Sequence, residues 1–358
     1  MSATTEAASR NVSDTLAIAM EYTAERAAVI VADERCELSR LLLRTYAECL
    51  PNARVVRFDE LTHAEVIAAF TDLREGDLVV LLQSAAFKIS EFRIRVELFR
   101  RGIKVIEHGN LERMTGDGID IYIASLAYDP AYYRGIGHAL KARMDLAQTA
   151  KIESEGETLY FDSPLEDAKL NIGHFEGLKN VGSQFPIGEV FTESRDLERV
   201  HGRVKIYGFT DTTFRLNVPD QPITMIIERG LITGAENSTA EFDKVLSVIR
   251  TDEGAVWLRE LGFGMNRAFS RDRHVPDVGA FERVCGVHLS LGGRHGVYKK
   301  AHLNHRVVRY HVDSFVVTTR VLLDDDVVYA DGEWKVSPVA PPVASVVAPT
   351  GAPTGAQG

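Results

Sequence analysis

The chain has 358 residues, 45% of them hydrophobic, and a formal net charge of −10 with a pI near 5.6. That length buries one large core or two ordinary ones, two domains being the better fit, and the composition excludes a chain disordered throughout. The acidic balance argues against nucleic acid as a partner: phosphate-backbone binding needs concentrated lysine and arginine, and Lys299-Lys300 is too short for a basic groove.

Residues 1–20 lack a basic region followed by an apolar one, so no leader is expected and the segment reads as a flexible N-terminus. From 21 to 150, strands and helices alternate. The apolar run 27–32 (AAVIVA) suits a strand covered on both faces, and 39–46 (SRLLLRTY) an amphipathic helix. Runs 54–58, 77–82 and 103–106 add strands, with helices near 64–73 and 90–101 between them. That order predicts an α/β N-terminal domain with a doubly wound parallel sheet. No G-x-G-x-x-G follows the first strand, so dinucleotide binding has no support.

Beyond 150 the pattern changes. Short strand patterns at 157–161, 203–207 and 224–228 alternate with turns such as Arg229-Gly230 and Val218-Pro219-Asp220, and 239–249 reads as a helix. Residues 151–336 are expected to form a mainly antiparallel α+β metal-binding domain, and the uncharged Pro/Ala-rich stretch 337–358 a disordered tail. No apolar run approaches the roughly 18 residues of a membrane span. Cys36, Cys49 and Cys285 lie far apart with no CxxC pair, which leaves no basis for a disulfide framework or a zinc ribbon. The expectation is a cytoplasmic protein with no membrane partner.

The second domain carries metal-ligand residue types. His311-Val312-Asp313 lies in 309–317 (RYHVDSFVV), which reads as a strand. Alternate side chains share a face, so this imidazole and carboxylate start about 6–7 Å apart at Cβ and can converge on one ion. Glu189 follows a Pro/Gly turn and leads a β-branched and aromatic run, at the mouth of a strand. Glu260 stands in RELGFGMN, where alternating glycines let backbone approach closely. His288 and His295 are seven residues apart. Singly, each of these residues also suits a solvated carboxylate or a satisfied core histidine.

Together, FPIGEVFTES, RELGFGMN, VHLSLGG, HVD and ADGEWKV, in that order from about Lys151 to Val336, resemble the thermophilic metallo-aminopeptidase family of aminopeptidases T and S. The resemblance implies a metalloprotease-type hydrolase with two divalent ions, zinc or cobalt, held by Glu189, Glu260, His288, His311 and Asp313. A short peptide or other small-molecule substrate and a homodimer are expected with it. Where that family has a tyrosine ligand seven residues after its first histidine, this chain has His295. This group is competent to bind metal or to act as acid or base, since imidazole titrates near neutral pH and tyrosine does not. Glu282, in FERV, is a loose equivalent of the family's acidic-Asn-Ala segment and a candidate proton shuttle.

A related branch, resembling dihydroxypyridine ring-cleaving dioxygenases, uses the same scaffold with one non-haem iron on two histidines and an aspartate. Its triad would fall on position 260, His311 and Asp313. That branch has histidine at position 260 and no equivalent of His288, so Glu260 and His288 favour the two-ion hydrolase, with the iron oxygenase as the alternative.

Three other clusters read differently. His302 and His305, among Lys299, Lys300, Arg306 and Arg309, read as a solvated basic loop, with a site for a substrate carboxylate as the alternative. Asp324-Asp325-Asp326, between two apolar runs, reads as a hairpin turn rather than a cation loop. Thr115-Gly116-Asp117-Gly118 lacks the lysine and hydroxyl of a phosphate-binding loop.

Overall fold

The structure, a computed structural model, describes residues 2–89, 94–178, 180–301, 303 and 307–339. The apolar runs of the first half form a parallel sheet in the order Arg54–Arg57, Ala28–Ala32, Leu78–Leu82, Lys104–His108, Gly182–Gln184. Alternation along these strands feeds two cores. Val29, Val31, Val79, Leu81 and Val105 pack with Val66 of helix His63–Ala68 and Leu98 of helix Ile94–Arg100. Ile30, Val80, Leu82 and Ile106 pack with helices Glu37–Cys49 and Asp117–Ser125 on the other side. Helices on both faces are why these strands read as continuous apolar runs. Residues 90–93 of the expected 90–101 helix lie outside the described residues.

The expectation of a flexible N-terminus is corrected. Helix Ala3–Asp14 and the π-turn Thr15–Ala19 bury Ala8, Val12, Leu16 and Met20, four positions spaced by one helical turn. Ser2 caps the helix, and Asn11 Nδ2 donates to the Ile123 carbonyl at 2.8 Å. Small and polar residues between the apolar ones hid this stripe. Two further helices, Asp117–Ser125 and Pro130–Leu146, complete the first half; Asp129 caps the second, with proline in its first turn.

From Ala150 to Trp334 the chain builds a mainly antiparallel sheet of fourteen strands among the described residues. The strand Gly182–Gln184 is the exception, since it leaves this region to pair with Lys104–His108 in the parallel sheet. Strands Val200–Thr210, Val312–Val316, Gly286–Leu291, Leu258–Gly264 and Glu189–Glu193 are consecutive neighbours. The turn at Asp324 joins strands Arg320–Leu323 and Asp326–Ala330 as expected, and its carboxylate accepts the N–H groups of Gln148 and Thr149, both at 2.9 Å. Of the basic loop, His302, His305 and Arg306 lie outside the described residues; Lys300 is not solvated but buried. Of the expected tail, Ser337–Val339 are placed, with Val339 N–H donating to Gly135 O, and 340–358 lie outside the described residues. No described helix is long and apolar enough to cross a membrane.

Candidate metal centre

Strand register brings the expected ligands together. On the middle strand Leu258–Gly264, Gly264 pairs with Glu189, Gly262 pairs with His288, and Glu260 lies two residues further along the same face. Position 262 is a gap that the neighbouring imidazole fills: a Cβ there would stand 2.0 Å from His288 Nε2. Position 264 admits the Val284 carbonyl, 1.9 Å from where a Cβ would be. Ligand atoms of Glu189, Glu260 and His288 all lie within 4.8 Å of one another. His288 Nε2 is 3.1 Å from Glu189 Oε1 and 3.3 Å from Glu260 Oε1.

The His-X-Asp pair also converges. His311 Nε2 lies 3.2 Å from Asp313 Oδ1, at the start of strand Val312–Val316, where Ser290 of the neighbouring strand pairs with Asp313. The Nδ1 of His311 faces the Arg294 carbonyl at 3.3 Å. A ring that donates from Nδ1 to a carbonyl presents its Nε2 lone pair, the arrangement usual for a metal-ligating histidine. The rings of His311 and His295 are 5.9 Å apart, and His295 Nε2 reaches the second oxygen of Glu260 at 2.7 Å. Glu260 thus stands between His288 and His295.

Glu189, Glu260, Glu282 and Asp313 crowd one largely buried space against a single guanidinium, Arg283, whose Nη1 donates to Glu189 Oε2 and Glu282 Oε1, each at 2.6 Å. Burial would lower the basicity of His288, yet Glu189 and Glu260 outweigh it and raise its pKa well above the ordinary imidazole value. Burial likewise opposes the charged form of His311, but Asp313, Glu260 and Glu282 push it up to about 10. Glu260 would be raised by burial and is instead held well below the usual carboxylate range by His288, His295 and His311. Glu282 goes the other way: burial, reinforced by Glu189 and Asp313, pushes it up to about 8 despite Arg283. In addition, His288 Nδ1 is buried without a hydrogen-bond partner, and Asp313 Oδ1 meets only His311 Nε2, at 3.2 Å. Glu189, Glu260, Asp313, His288 and His311 together make a carboxylate and imidazole donor set that suits divalent ions.

Several residues around the centre carried no sequence signal. Arg283 is buried beside Glu189, and Arg259, next to Glu260, is fully buried with Glu193. Arg259 Nε donates to Glu193 Oε2 at 2.8 Å, Nη1 to Gly293 O and Nη2 to Tyr298 O at 3.0 Å. Lys300 Nζ lies 3.2 Å from Glu193 Oε1 and donates to Glu166 Oε1 at 2.7 Å and Ser194 O at 2.8 Å. An arginine or lysine in a polar stretch looks like surface, and its burial partner here is more than sixty residues away in sequence.

No protein-family profile matches the chain, and no curated protein does. Among the solved structures similar to it are two that match along most of its length. The structure of 2,5-dihydroxypyridine dioxygenase from Pseudomonas putida KT2440 is 14% identical, covers 91% of this chain and 96% of that one, and superposes with a TM-score of 0.62. Wild-type AmpT from Thermus thermophilus is 15% identical, covers 92% and 99%, and gives a TM-score of 0.60. At such identities the likeness establishes a shared mixed α/β fold and leaves both chemistries open.

Proposed function

We propose that the chain is a metal-dependent hydrolase of aminopeptidase type, acting on a small substrate with a free amino terminus. The observation that carries this reading is the buried convergence of Glu189, Glu260 and His288, with His311 and Asp313 beside them. An aminopeptidase among the proteins sharing the fold supports it. Glu189, Glu260 and His288 would hold one ion, with His311 and Asp313 contributing to a second. Bound there, two divalent ions, zinc or cobalt, supply an activated water and a polarised carbonyl.

The chain's own groups do the rest. Arg283 occupies Glu189 Oε2 and leaves Oε1 turned toward His288. Glu282 lies beside the cluster with its Oε1 fixed by Arg283, so it is placed to pass a proton from the attacking water to a leaving amine. Strand packing on Gly262 and Gly264 excludes other side chains from the centre.

The test is metal analysis of protein purified without added metal, together with assay on amino-acid amides and short peptides. Two zinc or cobalt ions per chain and peptide-bond cleavage are expected. His311→Ala and Asp313→Ala should each reduce turnover by more than about 100-fold with the fold retained. A single iron per chain with oxygen-dependent turnover would establish the dioxygenase chemistry of the other neighbour instead.

A further inference from the structure

We propose that His295 stands outside the metal shell as a positioning residue: it aims the Glu260 carboxylate through an Nε2–H hydrogen bond and is itself held by a loop clamped on the buried Arg259. This rests on the metal-centre reading above. The contrast between two histidines carries it. His311 turns Nδ1 toward a carbonyl oxygen, which must accept, so in the neutral ring the proton stays on Nδ1 and Nε2 carries the lone pair. His295 turns Nδ1 toward donors: the backbone N–H groups of Val297, at 3.1 Å, and Tyr298, at 3.3 Å. That nitrogen must accept. In the neutral ring the proton then sits on Nε2, which donates to Glu260 Oε2 at 2.7 Å.

For His295 to ligate through Nε2, its proton would have to move to Nδ1 and face two other N–H groups. The loop is not free to relieve that clash. Arg259, fully buried, donates to the carbonyls of Gly293 and Tyr298, one on each side of His295. Its own charge is matched by the fully buried Glu193, to which Lys300, at the far end of the loop, also draws close. Tyr298 is tied again through its hydroxyl, which donates to Asp167 O at 2.7 Å. Arg259 is the residue before Glu260, so one strand position supplies the carboxylate and its neighbour the clamp on the group that aims it.

The test combines two readouts on the full chain. Histidine-nitrogen NMR of metal-free protein, assigned by the signal lost in His295→Gln, is expected to show His295 protonated on Nε2; protonation on Nδ1 would overturn the proposal. Zinc titration against a chromophoric chelator is expected to show the same number of ions per chain in wild type, His295→Ala and His295→Gln. Affinity should weaken about 10–100-fold in His295→Ala and recover in large part in His295→Gln, whose amide can still donate to Glu260. Arg259→Lys keeps the charge beside Glu193 but cannot span both carbonyls, and should weaken zinc to a similar extent with some loss of melting temperature. Loss of one zinc per chain in both His295 variants would make His295 a ligand, and unchanged affinity in all three variants would make it a filler; either overturns the proposal. A wild-type protein that binds no zinc or other divalent ion would instead remove the metal-centre reading, while the NMR result still decides how His295 meets Glu260.

Discussion

Gly262 shows how much of the centre depends on an absent atom. His288 occupies the space that any other residue at 262 would fill with its Cβ, 2.0 Å from the ring nitrogen that faces Glu189 and Glu260. Gly262→Ala is therefore expected to push the imidazole out of line, cutting bound zinc to less than half. Repacking around one added methyl group costs about 1–3 kcal/mol, so the chain should still fold. Metal content and urea denaturation measured on the same preparation check both parts, and full zinc occupancy would show that the ring has another place to go. Gly264 faces a harder constraint, because the atom it admits is the Val284 carbonyl rather than a side chain that can rotate away. At this scale the sequence was informative where a local rule applies. Period-two alternation placed His311 and Asp313 on one face, and the glycine spacing signalled close approach near Glu260. It was silent on Arg259, Arg283 and Lys300, because nothing local marks a charged residue as buried. It also left His295 open between ligand and acid/base group, since the ring's two nitrogens are told apart only by what they face.

Among the elements, the short helix Val278–Phe281 carries the clearest electrostatic liability. Asp277 precedes it, buried; its Oδ1 accepts from Asn110 Nδ2 and Arg113 Nη1, both at 2.9 Å, and its Oδ2 has no partner. These bonds join the loop after a parallel-sheet strand to the antiparallel part of the molecule. Burial nevertheless wins over Arg113, Asn110 and the backbone N–H of Ala280 and pushes the carboxyl up to about 6 from an ordinary 3.8. The folded state thus holds this proton more tightly than the unfolded chain. The contribution to stability is complete below about pH 4 and is lost as pH rises through about 6. Asp277→Asn removes the titration. The variant is expected to gain on the order of 2 kcal/mol over wild type above pH 6, a gap that closes toward pH 4. Urea denaturation at a series of pH values reads the gap, and parallel curves for the two proteins would show that the carboxyl is solvated. The strand Gly182–Gln184, by contrast, could not be read from sequence: three residues with no apolar alternation become a strand only because the edge of Lys104–His108 is there to receive them.

For the molecule as a whole, the first twenty residues change the account of what is core. Their apolar positions, Ala8, Val12, Leu16 and Met20, pack on helices Glu37–Cys49 and Asp117–Ser125 in the same core that runs beneath the parallel sheet. Leu16→Ala should then cost about 2–5 kcal/mol, the range for a buried leucine, as read by chemical denaturation. A loss under about 0.5 kcal/mol would mean the helix is detached in solution. The sequence by itself determined the alternating first half and the antiparallel second half, because hydrophobic period is a local property that each strand or helix must satisfy on its own. It also determined which residues had the chemistry to bind metal. Only the tertiary structure decided that Glu189, Glu260 and His288, strung across a hundred residues, share one space, and that His295 turns its lone pair away from it. Strand order and hydrogen-bond direction arise from contacts between segments, and no local pattern encodes which donor a ring nitrogen will meet.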